Sequence, residues 1–144
     1  MSSQLPQGGR GTAEADAAIR QARAGKLGVR EMLGAVMSAQ VFVPLAAPPT
    51  FNGNMIKSWK PATVSKEPGG APFLVAFTDI DLATTFTRSN PSYGYGLLVE
   101  APWLLTVLPP NHGLAFNLDG ASSFDWPSVG IAAYRSENPL AARE

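Results

Sequence analysis

The spacing of apolar positions changes period several times along the chain. Ala15, Ala18, Ile19 and Ala22 recur at helical spacing, and Gly25 supplies a stop. Thr12 is the expected N-cap, with Glu14 and Asp16 in the first turn, where a helix dipole favours anions. Val29, Met32, Leu33, Val36 and Met37 then draw a second helical stripe. Gly34 interrupts it, at a cost of about 1 kcal/mol relative to alanine. From Val41 the period becomes that of a strand, which Pro44 ends or confines to a sheet edge. Residues 46–54, rich in Pro, Asn and Gly, read as a loop, and residues 55–64 as a weaker strand split by Pro61. Phe73-Leu74-Val75-Ala76-Phe77 is a continuous apolar run, the pattern of a strand buried on both faces at the middle of a sheet.

Thr78 and Asp79 are placed to cap a helix carrying Leu82, Ala83 and Phe86, with Asp81 three residues after Thr78 as in a capping box. Pro91 and Tyr93-Gly94-Tyr95-Gly96 break that helix. Pro102 opens a short one that runs to Leu108. Residues 114–118 alternate as a half-buried strand, Asp119-Gly120 reads as a hairpin-type turn, and residues 121–124 as the return. Pro127 opens a last helix with Val129, Ala132 and Ala133 inward. The order α-α-β-β-β-α-α-β-β-α predicts one α/β (α+β) domain over residues 13–135. It has paired N-terminal helices and a mixed, mostly antiparallel sheet with helices packed on it. Residues 1–12 are expected to be a flexible lead, and residues 136–144 a flexible tail.

Composition narrows what such a domain does. At 144 residues and 45% hydrophobic content the chain can build a core without staples. It has no cysteine, which excludes disulfides, thiol catalysis and cysteine-based metal sites and suits a cytoplasmic setting. Its longest apolar stretch, residues 101–108, is far too short to cross a bilayer, and residues 1–12 lack the apolar core of a signal peptide. Net charge is zero, yet residues 1–67 carry eight Lys or Arg against four acids, and residues 68–144 three against seven. That balance supplies no net basic footprint for nucleic acid.

Candidate chemistry is sparse. His112 is the only histidine, on a Pro-Pro-Asn-His-Gly turn with no recognisable nucleophile motif elsewhere. Asp79 and Asp81 are spaced to share a divalent cation, but a helix start explains them without one. Gly94-Tyr95-Gly96 lacks the third glycine of a dinucleotide fingerprint, and Lys57-Ser58-Trp59-Lys60 is one isolated basic-aromatic group.

Three segments, taken together, resemble the N-terminal domain of the enhanced-serine-sensitivity (SseB) family. They are Val41-Phe42-Val43-Pro44-Leu45 after a helix pair, Pro72 through Phe77-Thr78-Asp79, and Gly113-Leu114-Ala115-Phe116-Asn117-Leu118. Their order and spacing fit over residues 15–135, with a departure at Leu118, where the family typically has proline. The resemblance implies a small bacterial cytoplasmic domain with no catalytic residues to carry over.

The expectation is therefore a non-enzymatic interaction or regulatory module without cofactor or metal. Its partner is another protein, not nucleic acid or a membrane, and self-association is left open. Trp59, Tyr93 and Tyr95, in Gly- and Pro-rich stretches, are the candidate interaction surface. The alternative is a small-molecule pocket formed by Thr78, Asp79, Asn111 and His112, which requires those two turns to converge at one sheet edge. A third reading is a toxin-immunity-type protein, which predicts one tight partner.

Overall fold

Both N-terminal stripes become helices, α1 (Thr12–Arg23) and α2 (Val29–Met37), in a computed structural model that describes residues 10–53, 55–65, 68–118, 120 and 122–137. The expected flexible stretches at 1–9 and 138–144, and Asp119 of the expected turn, lie outside those residues. Residues 10–12 are anchored. The Gln40 N–H donates to the Arg10 carbonyl and the Arg10 N–H to Gln40 Oε1, both at 2.8 Å, while the Arg10 guanidinium reaches Glu100. The N-cap of α1 is Gly11, at φ 75°, and Thr12 is already helical. A side chain at Gly11 would meet the Ser38 carbonyl and the Ala39 backbone at 3.1 Å, which explains why glycine makes this entry.

Gly34 is different. A Cβ there meets nothing within 4 Å, and its φ is not positive. Gly34→Ala is expected to stabilise the domain by about 0.4–1 kcal/mol, read as a rise in Tm of roughly 1–3 °C. A lower Tm would mean that the helix needs glycine at this point.

The strands are β1 (Gln40–Leu45), β2 (Thr50–Asn52), β3 (Met55–Ser58), β4 (Thr63–Ser65), β5 (Pro72–Ala76), β6 (Tyr95–Glu100), β7 (Gly113–Phe116) and β8 (Phe124–Trp126). Helix α3 (Ile80–Ser89) follows β5, α4 (Ala101–Val107) follows β6, and α5 (Ser128–Glu137) follows β8. The tail expected from residue 136 thus begins inside α5. Strands β4-β5-β7-β8 form one sheet, with β5 and β7 parallel and the other neighbours antiparallel. Strand β1 pairs antiparallel with β6 on one side. On its other side, bridges Phe42–Phe77 and Leu45–Pro61 join it to the ends of β5 and β4. Strands β2 and β3 make a separate antiparallel hairpin.

Strand alternation sorts the core into two layers. Val41, Val43, Leu45, Leu74, Ala76, Leu114 and Phe116 pack with α1, α2, α4 and α5. Phe42, Val75 and Phe77 face the other way and pack with Ala83, Leu82 and Phe86 of α3. Leu118, where the sequence departs from the family pattern, joins this second cluster.

Several elements differ from the sequence reading for identifiable reasons. Strand β2 lies within the expected loop, and β6 begins in the Tyr-Gly-Tyr-Gly break. Pairing with β1 along all six residues overrides local glycine content, and Gly96 gives room to the Phe42 ring, which a Cβ would overlap at 2.1 Å. Pro44 neither ends β1 nor puts it at an edge. The Pro44 carbonyl accepts from the Ala62 N–H at 3.0 Å, and the Ala62 carbonyl accepts from Val75, so no acceptor waits for the proline's missing N–H. Strand β7 is buried at every residue, because it lies between β5 and β8 with helices on one face. Helix α5 turns Ile131 inward, leaving Val129 75% exposed and Ala132 and Ala133 exposed as well.

The two halves of uneven charge interleave in the fold. Ion pairs Arg10–Glu100, Arg20–Asp79 and Arg30–Glu137 each join one half to the other.

Candidate functional site

The C-terminal ends of β5 and β7 lie side by side because the two strands are parallel, and the sequence loads both ends with polar residues. Asn117 follows β7 at φ 53°, a left-handed conformation that asparagine tolerates better than most residues. Its buried side chain ties three segments together. Asn117 Oδ1 accepts from the N–H groups of Thr78 at 2.8 Å and Asp79 at 3.0 Å. Asn117 Nδ2 donates to Thr78 Oγ1 at 2.8 Å, to the Ser122 carbonyl at 3.1 Å and to Asp16 Oδ1 at 3.5 Å.

Asp16 of α1 closes the knot. Its Oδ1 also accepts from Ser122 Oγ at 2.5 Å and Thr78 Oγ1 at 3.3 Å, while Oδ2 accepts from Arg20 Nε at 3.1 Å. Arg20 reaches onward to Asp79 Oδ2 at 3.7 Å. Asp79 itself is the N-cap of α3, accepting from the N–H groups of Asp81 at 3.0 Å and Leu82 at 3.3 Å. The capping residue is thus Asp79; Thr78 turns into the knot, and the capping box with Asp81 is not formed. Ser122, which donates to the Asp16 carboxylate, is fully buried. This arrangement fixes α1, α3 and the turn after β7 on one another. Among the described residues, no group of three or more His, Asp or Glu side chains is arranged to hold a metal ion.

The pocket expected from Thr78, Asp79, Asn111 and His112 is not assembled. Strand β5 runs toward Thr78, whereas Asn111 and His112 precede β7, whose Gly113 pairs with Phe73. The two pairs therefore sit at opposite ends of the ladder, on the order of 16 Å apart at the strand rise. His112 Nδ1 lies 3.1 Å from Asn111 Oδ1, and the His112 N–H donates to the Pro109 carbonyl at 3.0 Å, which serves the turn.

Of the three candidate aromatics, all half-buried, Tyr93 is separated from Trp59 and Tyr95. Trp59 packs edge-on against Trp103 of α4 at 5.6 Å, and Tyr95 faces the four-helix side opposite Leu45. Tyr93 lies on the α3 side, 6.0 Å from the Phe86 ring. The sheet stands between Tyr93 and the other two, so the three do not form one surface.

Among the described residues, an uncovered apolar surface lies elsewhere. A groove of about 570 Å³ runs between α2 and α5 with β8 beside it, lined by Val29, Leu33, Phe124, Trp126, Pro127 and Tyr134. Its aromatic walls pack on neighbouring rings. Trp126 and Tyr134 meet edge-to-face at 5.4 Å, and Phe124 stacks on Phe116 at 6.1 Å. Val29, the first member of the α2 stripe, is 62% exposed at the groove. The charged lining residues are Arg30, Asp125 and Glu137, with Arg30 and Glu137 3.4 Å apart.

The family model of the SseB protein N-terminal domain matches residues 15–133. The chain belongs to that family. The SseB match takes in α1 through most of α5, and with them the Asn117 knot and nearly all of the groove lining. No curated protein and no solved structure matches the chain. Among the described residues of this SseB domain, no helix is long and apolar enough to cross a membrane.

Proposed function

We propose that this SseB domain is a non-enzymatic protein-interaction module of the bacterial cytoplasm, and that it takes an apolar segment of a protein partner into the α2–β8–α5 groove. The carrying observation is the groove itself, an apolar concavity with exposed Val29 that the described residues leave uncovered. Pockets that orient a small molecule place a few polar groups inside an apolar wall. Here two of the three charged lining residues pair with each other, and the walls are aliphatic and aromatic, which favours a protein segment. The bacterial, cytoplasmic setting is supported by the family and by the absence of cysteine.

Val29→Arg with Ala133→Arg tests this reading, because both positions are exposed and line the groove. In quantitative affinity capture, a partner retained by the wild-type domain is expected to fall at least tenfold with this variant. It should be unchanged by Arg88→Glu on α3, a residue outside the groove lining. Equal recovery with all three baits would remove the groove as the docking surface.

A further inference from the structure

The β2–β3 hairpin carries the most exposed apolar side chains of the sheet-forming segments, Phe51 at 47% and Met55 at 75%. Phe51 pairs with Ile56 and Asn52 with Met55, so Phe51 and Met55 project from opposite faces of the ribbon. A flat partner laid on one face covers only one of them. A groove that receives the hairpin between two walls covers both. The segment's own charge is of one sign: residues 32–66 contain no acid, Lys57 lies within β3 and Lys60 follows two residues after it. Neither lysine has an ion-pair partner among the described residues.

The same chain carries a matching receptor. The α2–β8–α5 groove has two apolar walls and an aromatic lining of the kind that methionine packs well against. Its charged residues are two acids, Asp125 and Glu137, against one base, Arg30. We propose that the hairpin of one copy inserts into the groove of a second copy. The occupant rests on the groove reading above, with the complementarity of charge and shape naming it. A molecule cannot fill its own groove this way, because the hairpin springs from the β1–β4 side of the sheet and the groove flanks β8 at the opposite edge. The contact joins two different surfaces, so a dimer held by one such contact keeps one free hairpin and one free groove. Self-association then competes with any foreign segment for the groove.

Sedimentation equilibrium of the full chain from micromolar to millimolar concentration tests this. Wild type is expected to rise from 15.2 kDa through the dimer mass and beyond as concentration increases. Phe51→Ser with Met55→Ser, and separately Val29→Arg with Ala133→Arg, should each stay monomeric. All four positions are exposed, and circular dichroism of each variant checks that it folds. An equimolar mixture of the two variants retains one intact hairpin and one intact groove, and should form a dimer and nothing larger. Lys57→Glu with Lys60→Glu should weaken association at least threefold at low salt and less at high salt. A wild-type chain that stays at 15.2 kDa throughout, or variants that fail to complement, would overturn the proposal. If wild type is monomeric while the groove variant still loses a foreign partner, only self-association fails. If the groove variant also keeps that partner, the groove reading falls with it.

Discussion

Asn117→Ala is expected to lower folding stability by about 3–5 kcal/mol, a large share of the 5–15 kcal/mol that domains of this kind hold. Two physical costs add. Alanine at φ 53° sits in the left-handed region at a penalty of roughly 1–2 kcal/mol. The larger cost comes from the groups left behind. The Thr78 N–H loses its acceptor, the Thr78 hydroxyl and the Ser122 carbonyl lose a donor, and all of these belong to buried residues. Each such orphan costs about 1–3 kcal/mol, discounted where a neighbour can turn to replace the lost partner. Asn117→Gly removes the backbone strain and keeps the orphans, so it should be about 1 kcal/mol less harmful than alanine. Asn117→Asp preserves the acceptor but puts a second carboxylate against Asp16, and should not rescue. Urea unfolding of the three variants gives the ranking directly. A loss under about 1 kcal/mol for alanine would mean that the knot does not hold the fold together.

The knot was half legible in the sequence. Phe77-Thr78-Asp79 and the Gly113–Asn117 segment stand out because each ends an apolar run on polar residues, as strands do when they leave a core. Asp16 and Ser122 carry no such mark. Asp16 looks like a first-turn acid serving the helix dipole, and Ser122 like one more turn residue; their contact spans 106 positions and exists only because α1 packs where β5 and β7 end. Strand direction was the decisive missing fact. Had β5 and β7 been antiparallel, the residues before β7 would lie beside those after β5, and His112 would meet Asp79. Because the two are parallel, Asn117 is brought to Thr78 instead, and His112 goes to the far end. Local pattern does not encode that choice; it depends on the crossover through α3, β6 and α4. The groove was illegible for a related reason. Its lining comes from α2, β8 and α5, and Val29 is indistinguishable by spacing from the buried members of its own stripe. The hairpin was hidden by composition, since Pro, Asn and Gly around residues 46–54 announce a turn and say nothing of the short strand within it. The layered fold itself was readable, since helical periods in α1 and α2 and the apolar run of β5 survive in the structure as buried faces.

Phe116→Ala is expected to cost about 3–5 kcal/mol, the range for deleting a buried aromatic ring from a core that collapses only partly around the space. Phe116 is fully buried, paired with Ala76 on β5 and with Phe124 on β8, and its ring stacks on Phe124 with 13° between the planes. Its neighbours on the four-helix side are held by helices already fixed at other points, so little can move in to fill the gap. Phe116→Leu restores most of the volume and should cost only about 1–1.5 kcal/mol. The pair of variants separates stability from recognition. Phe124 is a wall of the groove, and Phe116 is the ring that it leans on. Under conditions where both variants are folded, Phe116→Ala should weaken occupancy of the groove and Phe116→Leu should restore much of it, although neither substitution touches a surface residue. Urea unfolding measures the first effect, and titration of a groove-binding partner or of self-association measures the second. Binding that is unchanged in Phe116→Ala would show that Phe124 keeps its place without that support, and would put the groove's shape under the control of the α2 and α5 side chains alone.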